Sequence, residues 1–147
     1  MSQSTQPQDV KAQGAKVYRG SCHCGAVRFE AELDLGAGVT RCNCTVCTKI
    51  GSTASVGKPS IFRLLQGAES LGEYRIGASP NSRAFCKHCG VHVFGQGDVP
   101  EIGGAFVSVN THCLDDVELS ALKVGYWDGR HDNWQAGLRE RPWPIRA

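Results

Sequence analysis

No stretch of this sequence is apolar for long enough to cross a bilayer as a helix. A formal net charge of +2 over 147 residues is too close to neutral to mark a nucleic-acid or anionic-lipid partner. No basic helix or stripe is present either, which counts further against nucleic acid. Solenoid-type internal repeats are absent, and so is low complexity beyond the first residues. The opening "MSQSTQPQDVKAQGA" lacks an apolar h-region, so it is not a secretory signal. It reads as a disordered leader over residues 1–15, with a single domain over 16–147. A cytoplasmic location is the expectation, and there thiols stay reduced. Helical periodicity is scarce too: "LDDVELSAL" is the one plausible helix, a short one, with Asp115 as its cap.

Glycine and cysteine are abundant. Eighteen glycines and short periodic segments favour β-structure with many turns. "AVRFEAELD" alternates, with Val27, Phe29, Ala31 and Leu33 on one face and Arg28, Glu30, Glu32 and Asp34 on the other. "SIFRLLQG", "ESLGEYRI", "VHVFG" and "GAFVSVN" are strand candidates of similar length. Several strands and little helix predict a mainly β, antiparallel domain. Its core is modest, so a structural metal would help to hold it together.

Eight cysteines in a reduced compartment point to metal ligands or reactive groups before disulfides. Cys22 and Cys24 in "SCHCG" and Cys86 and Cys89 in "CKHCG" form two close pairs, each followed by glycine. Glycine permits the tight turn that brings two sulfurs to one ion. Together the pairs supply the four thiolates of a closed structural zinc site. "CNCTVC" adds Cys42, Cys44 and Cys47. Three thiolates leave a fourth position open, as in a catalytic zinc site. A second structural site is the alternative, closed by Cys113 or by His23, His88, His92 or His112. The C-x-C spacings do not match ferredoxin iron–sulfur patterns.

"GSCHCGAVRFE", "CNCTVC" and "FCKHCGVHVFG", in that order, resemble the glutathione-dependent formaldehyde-activating family, also called the centromere-protein-V/formaldehyde-activating domain. The resemblance runs from about Tyr18 to Leu114. It implies an Mss4-like β-tent stapled by two zinc ions. The structural ion would take Cys22, Cys24, Cys86 and Cys89, and the catalytic one Cys42, Cys44 and Cys47. The family reaction is reversible addition of glutathione to formaldehyde, so the resemblance implies a carbon–sulfur lyase acting on a small thiol and an aldehyde. The competing reading is a non-catalytic double zinc-knuckle module that presents a surface to a protein or nucleic-acid partner.

A thiol of ordinary pKa, about 8.5, needs only modest help from a metal to ionise at neutral pH. Arg41, Lys49 and Lys87 stand near the cysteine motifs and are the candidate partners for glutathione carboxylates. They read otherwise as scattered surface charge. No general base is evident. His88 reads as a turn residue, and His92 faces away from Val91 and Val93. Asn43 reads as a turn residue, or else as a donor to a thiolate. Trp127, Trp134 and Trp143 in the tail read as an arm packed over the sheet. They would otherwise roof a cleft or bury against a second subunit, which would make a homodimer. Cys113 reads as a buried free thiol.

Overall fold

The computed structural model of the chain describes residues 14–146. All but the last two positions of the leader expected at 1–15 therefore lie outside the described residues. From Lys16 onward, the described residues form ten strands and one short α-helix: β1 (Lys16–Ser21), β2 (Arg28–Leu33), β3 (Val39–Cys42), α1 (Thr45–Ile50), β4 (Ala54–Gly57), β5 (Phe62–Gln66), β6 (Leu71–Arg75), β7 (Ser82–Cys86), β8 (His92–Val99), β9 (Gly104–Asn110) and β10 (Val124–Trp127). The fold is mainly β, as the alternation predicts, and agrees with an Mss4-like tent.

Two sheets carry it. One has the order β1-β2-β5, and the other β10-β3-β4-β9-β8-β7-β6. Every pairing is antiparallel except β10 against β3, which is parallel. The expected antiparallel architecture holds, with that one parallel edge added to it. Tail residues that follow β9 by more than a dozen positions return beside β3, a crossover too long for a hairpin.

The core lies between the sheets. Val27, Phe29, Ala31 and Leu33 are all buried, on the face that the alternation assigns to them. They meet Val93, Val107 and Val109 of the larger sheet. Phe62 stacks on Phe29 at 5.2 Å between ring centroids and on Phe94 at 4.3 Å, so one aromatic column ties the two sheets together. Such pairs add stabilisation of about 0.5–1.5 kcal/mol each beyond area burial.

The helix expected over "LDDVELSAL" does not form. Asp116 sits in the left-handed region at φ 55°, which breaks right-handed helical propagation. Only a 3-10 turn remains at Leu119–Ala121, and Glu118 rather than Asp115 caps it by accepting from Ser120. The α-helix lies instead inside the cysteine motif. No described helix is long and apolar enough to cross a membrane.

Candidate metal centres and the cavity beside them

Two tight turns build the first cluster. Cys22 and Cys24 leave the end of β1, while Cys86 and Cys89 leave the end of β7. Gly25 and Gly90 both take positive φ, +83° and +76°, which a side chain would resist. Backbone amides of Val27 and His88 donate to the sulfurs of Cys22 and Cys86 at 3.3 Å. The four sulfurs all lie within 4.8 Å of one another. Cys22 to Cys24 and Cys24 to Cys86 are each 3.7 Å. A tetrahedral ion with metal–sulfur bonds of about 2.3 Å sets sulfur edges of about 3.8 Å. The donor set therefore fits a tetrahedral metal ion.

The second cluster grows from one strand end and one helical turn. Cys42 ends β3, and Cys44 is the N-cap of α1, its sulfur accepting from the Cys47 amide at 3.4 Å. Cys44 and Cys47 are three residues apart, so they share one face of that turn. The Cys44 amide donates to the sulfur of Cys42 at 3.4 Å. Gly51, left-handed at φ +75°, ends the helix. Cys42, Cys44 and Cys47 offer sulfurs within 4.8 Å of one another. No fourth His, Cys, Asp or Glu joins them among the described residues. This donor set fits three positions around one ion.

The residues that would have closed that cluster lie elsewhere. Cys113 is buried, its sulfur 3.4 Å from the His92 carbonyl, and burial first, then the charges of Cys22 and Cys89, push its thiol up to about 12. His88 is hydrogen-bonded to Ser70 at 3.1 Å, and His23 and His112 are exposed.

Arg83 on β7 is the residue that sequence reasoning missed. Its guanidinium donates to the sulfur of Cys47 at 3.4 Å. It crosses over Gly95 of β8, where a Cβ would meet its Cδ at 3.0 Å. Reading β7 as a strand would have placed Arg83 opposite Cys86 by alternation. Thiol hydrogen bonds from Cys42 and Cys47 hold the Cys44 thiol down to about 2, with Arg83 adding to the effect. Hydrogen bonds with Cys44 and Cys47, then burial, push Cys42 well above the ordinary thiol range.

A cavity of about 490 Å³ opens beside these sulfurs. All three cysteines, Arg83 and His92 line it. Burial first, then Arg83, holds the His92 imidazole below its ordinary pKa, so it is neutral at neutral pH. Nδ1 of His92 and Oδ1 of Asn81, which also lines the cavity, are buried without a hydrogen-bond partner among the described residues. Arg41, Lys49 and Lys87 do not line it. Arg41 turns to the Gly51 carbonyl at 2.7 Å, and Lys87 lies near the carbonyl of Glu69.

The tail supplies one wall. Trp127 and Trp134 meet edge to face at 5.8 Å and line the cavity, so the reading of the tail as only an arm over the sheet holds for neither. Trp143 does pack as an arm, donating to the Tyr126 carbonyl at 2.9 Å under the Arg139 guanidinium. Asn43 is the anchor of this wall, not a plain turn residue. Its amide donates to Asp128 at 2.8 Å and to the Pro144 carbonyl at 3.1 Å, and its oxygen accepts from the Arg130 amide at 2.9 Å. Asp128 is buried and also pairs with His131 at 2.7 Å.

Fold and clusters together define a β-tent domain with two cysteine clusters, one of four sulfurs and one of three beside a cavity. The family model "Glutathione-dependent formaldehyde-activating enzyme" matches residues 17–129, and the chain belongs to that family. A Halomonas elongata protein with the provisional name of a glutathione-dependent formaldehyde-activating enzyme is 33% identical over 81 residues. That match covers 50% of this chain and 52% of the relative, so the chain spans about half of that protein's length. A crystal structure of a Rhodobacter sphaeroides protein superposes with a TM-score of 0.63 at 31% identity, covering 86% of this chain and 99% of that one.

Proposed function

We propose that residues 16–147 act as one zinc-dependent carbon–sulfur lyase domain, which adds a thiol reversibly to an aldehyde at the three-cysteine cluster. Cys22, Cys24, Cys86 and Cys89 would hold a structural zinc, and Cys42, Cys44 and Cys47 a catalytic one. The observation that carries this reading is a cluster of three sulfurs, not four, on the wall of a ligand-sized cavity. Membership of the family supports the thiol–aldehyde chemistry.

Zinc bound there would lower the pKa of an incoming thiol, so that the sulfur meets the aldehyde as thiolate. The chain supplies the rest. Cys42, Cys44 and Cys47 hold their sulfurs on one face, and the hydrogen bond from Arg83 to Cys47 offsets part of their charge. In the addition a sulfur–carbon bond forms and the carbonyl π pair moves to oxygen. That oxygen gains a proton and the thiol loses one, with no net oxidation. Neutral His92 on the cavity wall is the group able to hold a proton in transit. Trp127 and Trp134 would give that wall an apolar surface.

Cobalt in place of zinc provides the test. Glutathione should change the thiolate charge-transfer bands, and its S-methyl analogue should change them far less. Adduct formation from thiol and aldehyde should exceed the uncatalysed rate, and Cys44→Ser should remove the excess. If no thiol perturbs the bands and no aldehyde shows a Cys44-dependent rate, the lyase reading is wrong.

A further inference from the structure

Formaldehyde has a single carbon and nothing apolar with which to touch a wall. The cavity beside the three cysteines is far larger, at about 490 Å³, within the range of about 300–1,000 Å³ that takes drug-sized ligands. The greater part of its wall is apolar. Val46 and Ile50 of α1, Phe94 of β8, Phe106 of β9, and Trp127 and Trp134 of the tail enclose it from separate elements.

Its charge is equally specific. Asp98, Glu101 and Asp132 line it and are exposed. Arg83 is the one lysine or arginine that lines it among the described residues. That guanidinium is already engaged with Cys47 and with the Ser82 carbonyl at 3.1 Å. Glutathione carries two carboxylates and one ammonium. It would bring anionic ends into a cavity that three acidic side chains also line, and charges act on one another over a screening length of about 8 Å at physiological salt. Like charges brought together cost affinity. Two polar groups that line the cavity without a partner among the described residues, His92 Nδ1 and Asn81 Oδ1, are neutral.

We infer that this cavity takes an aldehyde bearing a phenyl-sized or branched apolar group, joined to a thiol without net negative charge, in place of formaldehyde and glutathione. The inference rests on the three-cysteine cluster being the reacting centre. The balance of the reaction is unchanged: the thiol adds across the carbonyl, and the adduct's apolar group lies against the tail and the two phenylalanines. Each apolar group of methylene size or larger seated in such a wall is worth about 10-fold or more in specificity.

Two measurements on the zinc-loaded full chain separate this inference from the lyase reading. The first is calorimetric binding of 2-phenylethanol, an unreactive stand-in for the aldehyde, to the wild type and to Trp134→Leu. The second is Cys44-dependent turnover of phenylacetaldehyde with 2-mercaptoethanol, a neutral thiol, against formaldehyde with glutathione. Binding that Trp134→Leu weakens by about 10-fold, with a preference for the apolar pair, supports the inference. Binding without Cys44-dependent turnover of either pair leaves the ligand class standing and sinks the lyase reading. Absence of 2-phenylethanol binding to the wild type overturns the inference, as does faster turnover of formaldehyde with glutathione; the latter leaves the lyase reading intact. Zinc content and thermal melting show whether Trp134→Leu is folded, and the wild-type binding result stands without that variant.

Discussion

Gly129 lies where the tail closes on the second cluster, and replacing it with alanine is the sharpest probe of that closure. Its φ is not in the left-handed region, so alanine meets no backbone objection. The objection is contact. A Cβ there would stand 2.5 Å from the sulfur of Cys42 and 2.7 Å from Cη2 of Trp134. Carbon contacts settle near about 3.5–4.0 Å, so the sulfur or the indole must retreat by about 1 Å. Metal–ligand distances tolerate only about 0.2 Å. If Cys42 moves, the cluster loses metal; if Trp134 moves, the cavity wall shifts. Overpacking of this kind costs about 1–3 kcal/mol. At about 2–4 °C per kcal/mol for a chain of this size, the melting temperature should fall by about 2–12 °C. Gly36→Ala is the control. It is exposed, with Asp34 Oδ1 at 3.4 Å as the nearest atom, and should stay within about 0.5 kcal/mol of wild type. Metal analysis and differential scanning calorimetry read both outcomes. Gly129→Ala with wild-type metal content and the control's melting temperature would refute this account of the closure.

Two further outcomes follow from the site. Cys86→Ser should cut thermal stability severely, because it uncouples segments 62 residues apart in the chain, whereas Cys44→Ser should leave a folded protein with less zinc; equal unfolding in calorimetry would contradict that division of roles. Asp128 is held below its ordinary carboxyl value of 3.8: burial pushes it up, but hydrogen bonds from Asn43, His131 and Asn133 outweigh that. A depressed carboxyl stabilises the fold above its unfolded pKa and loses that contribution as pH falls through the folded value. Asp128→Asn should therefore be less stable than wild type at pH 7 and show a flatter loss as pH falls below the ordinary carboxyl value of 3.8 in urea titrations; an unchanged acid profile would remove Asp128 from the anchoring of the tail.

Much of the tent was legible because alternation is a strong local signal. The face assigned to Val27, Phe29, Ala31 and Leu33 is the buried one. The grouping of all seven clustered cysteines was legible too, since short spacings limit where sulfurs can go. Helix α1 was not: six residues span too little for a periodic pattern, and a cysteine caps it where serine or aspartate would normally signal a start. The helix read at 114–122 failed on Asp116, whose backbone conformation no hydrophobic pattern reveals. Arg83 escaped, and Asn43 and the tail tryptophans stayed open between two readings, because their partners lie far away in sequence, through pairings such as β7 with β8 and β10 with β3. Local reading has no access to such partners.

The parallel edge between β3 and β10 also sets an order of events on the ribosome. Asp128 follows its partner Asn43 by 85 residues. At about 5–20 residues per second, that interval is about 4–17 s of synthesis. During it, Cys42, Cys44 and Cys47 have emerged but the tail that walls them has not. Cys24 and Cys86 are closer in the chain, 62 residues apart, so the four-cysteine cluster can assemble first. A nascent chain thus presents three unwalled thiols beside an already stapled tent, and oxidants or competing metals reach them most easily in that window.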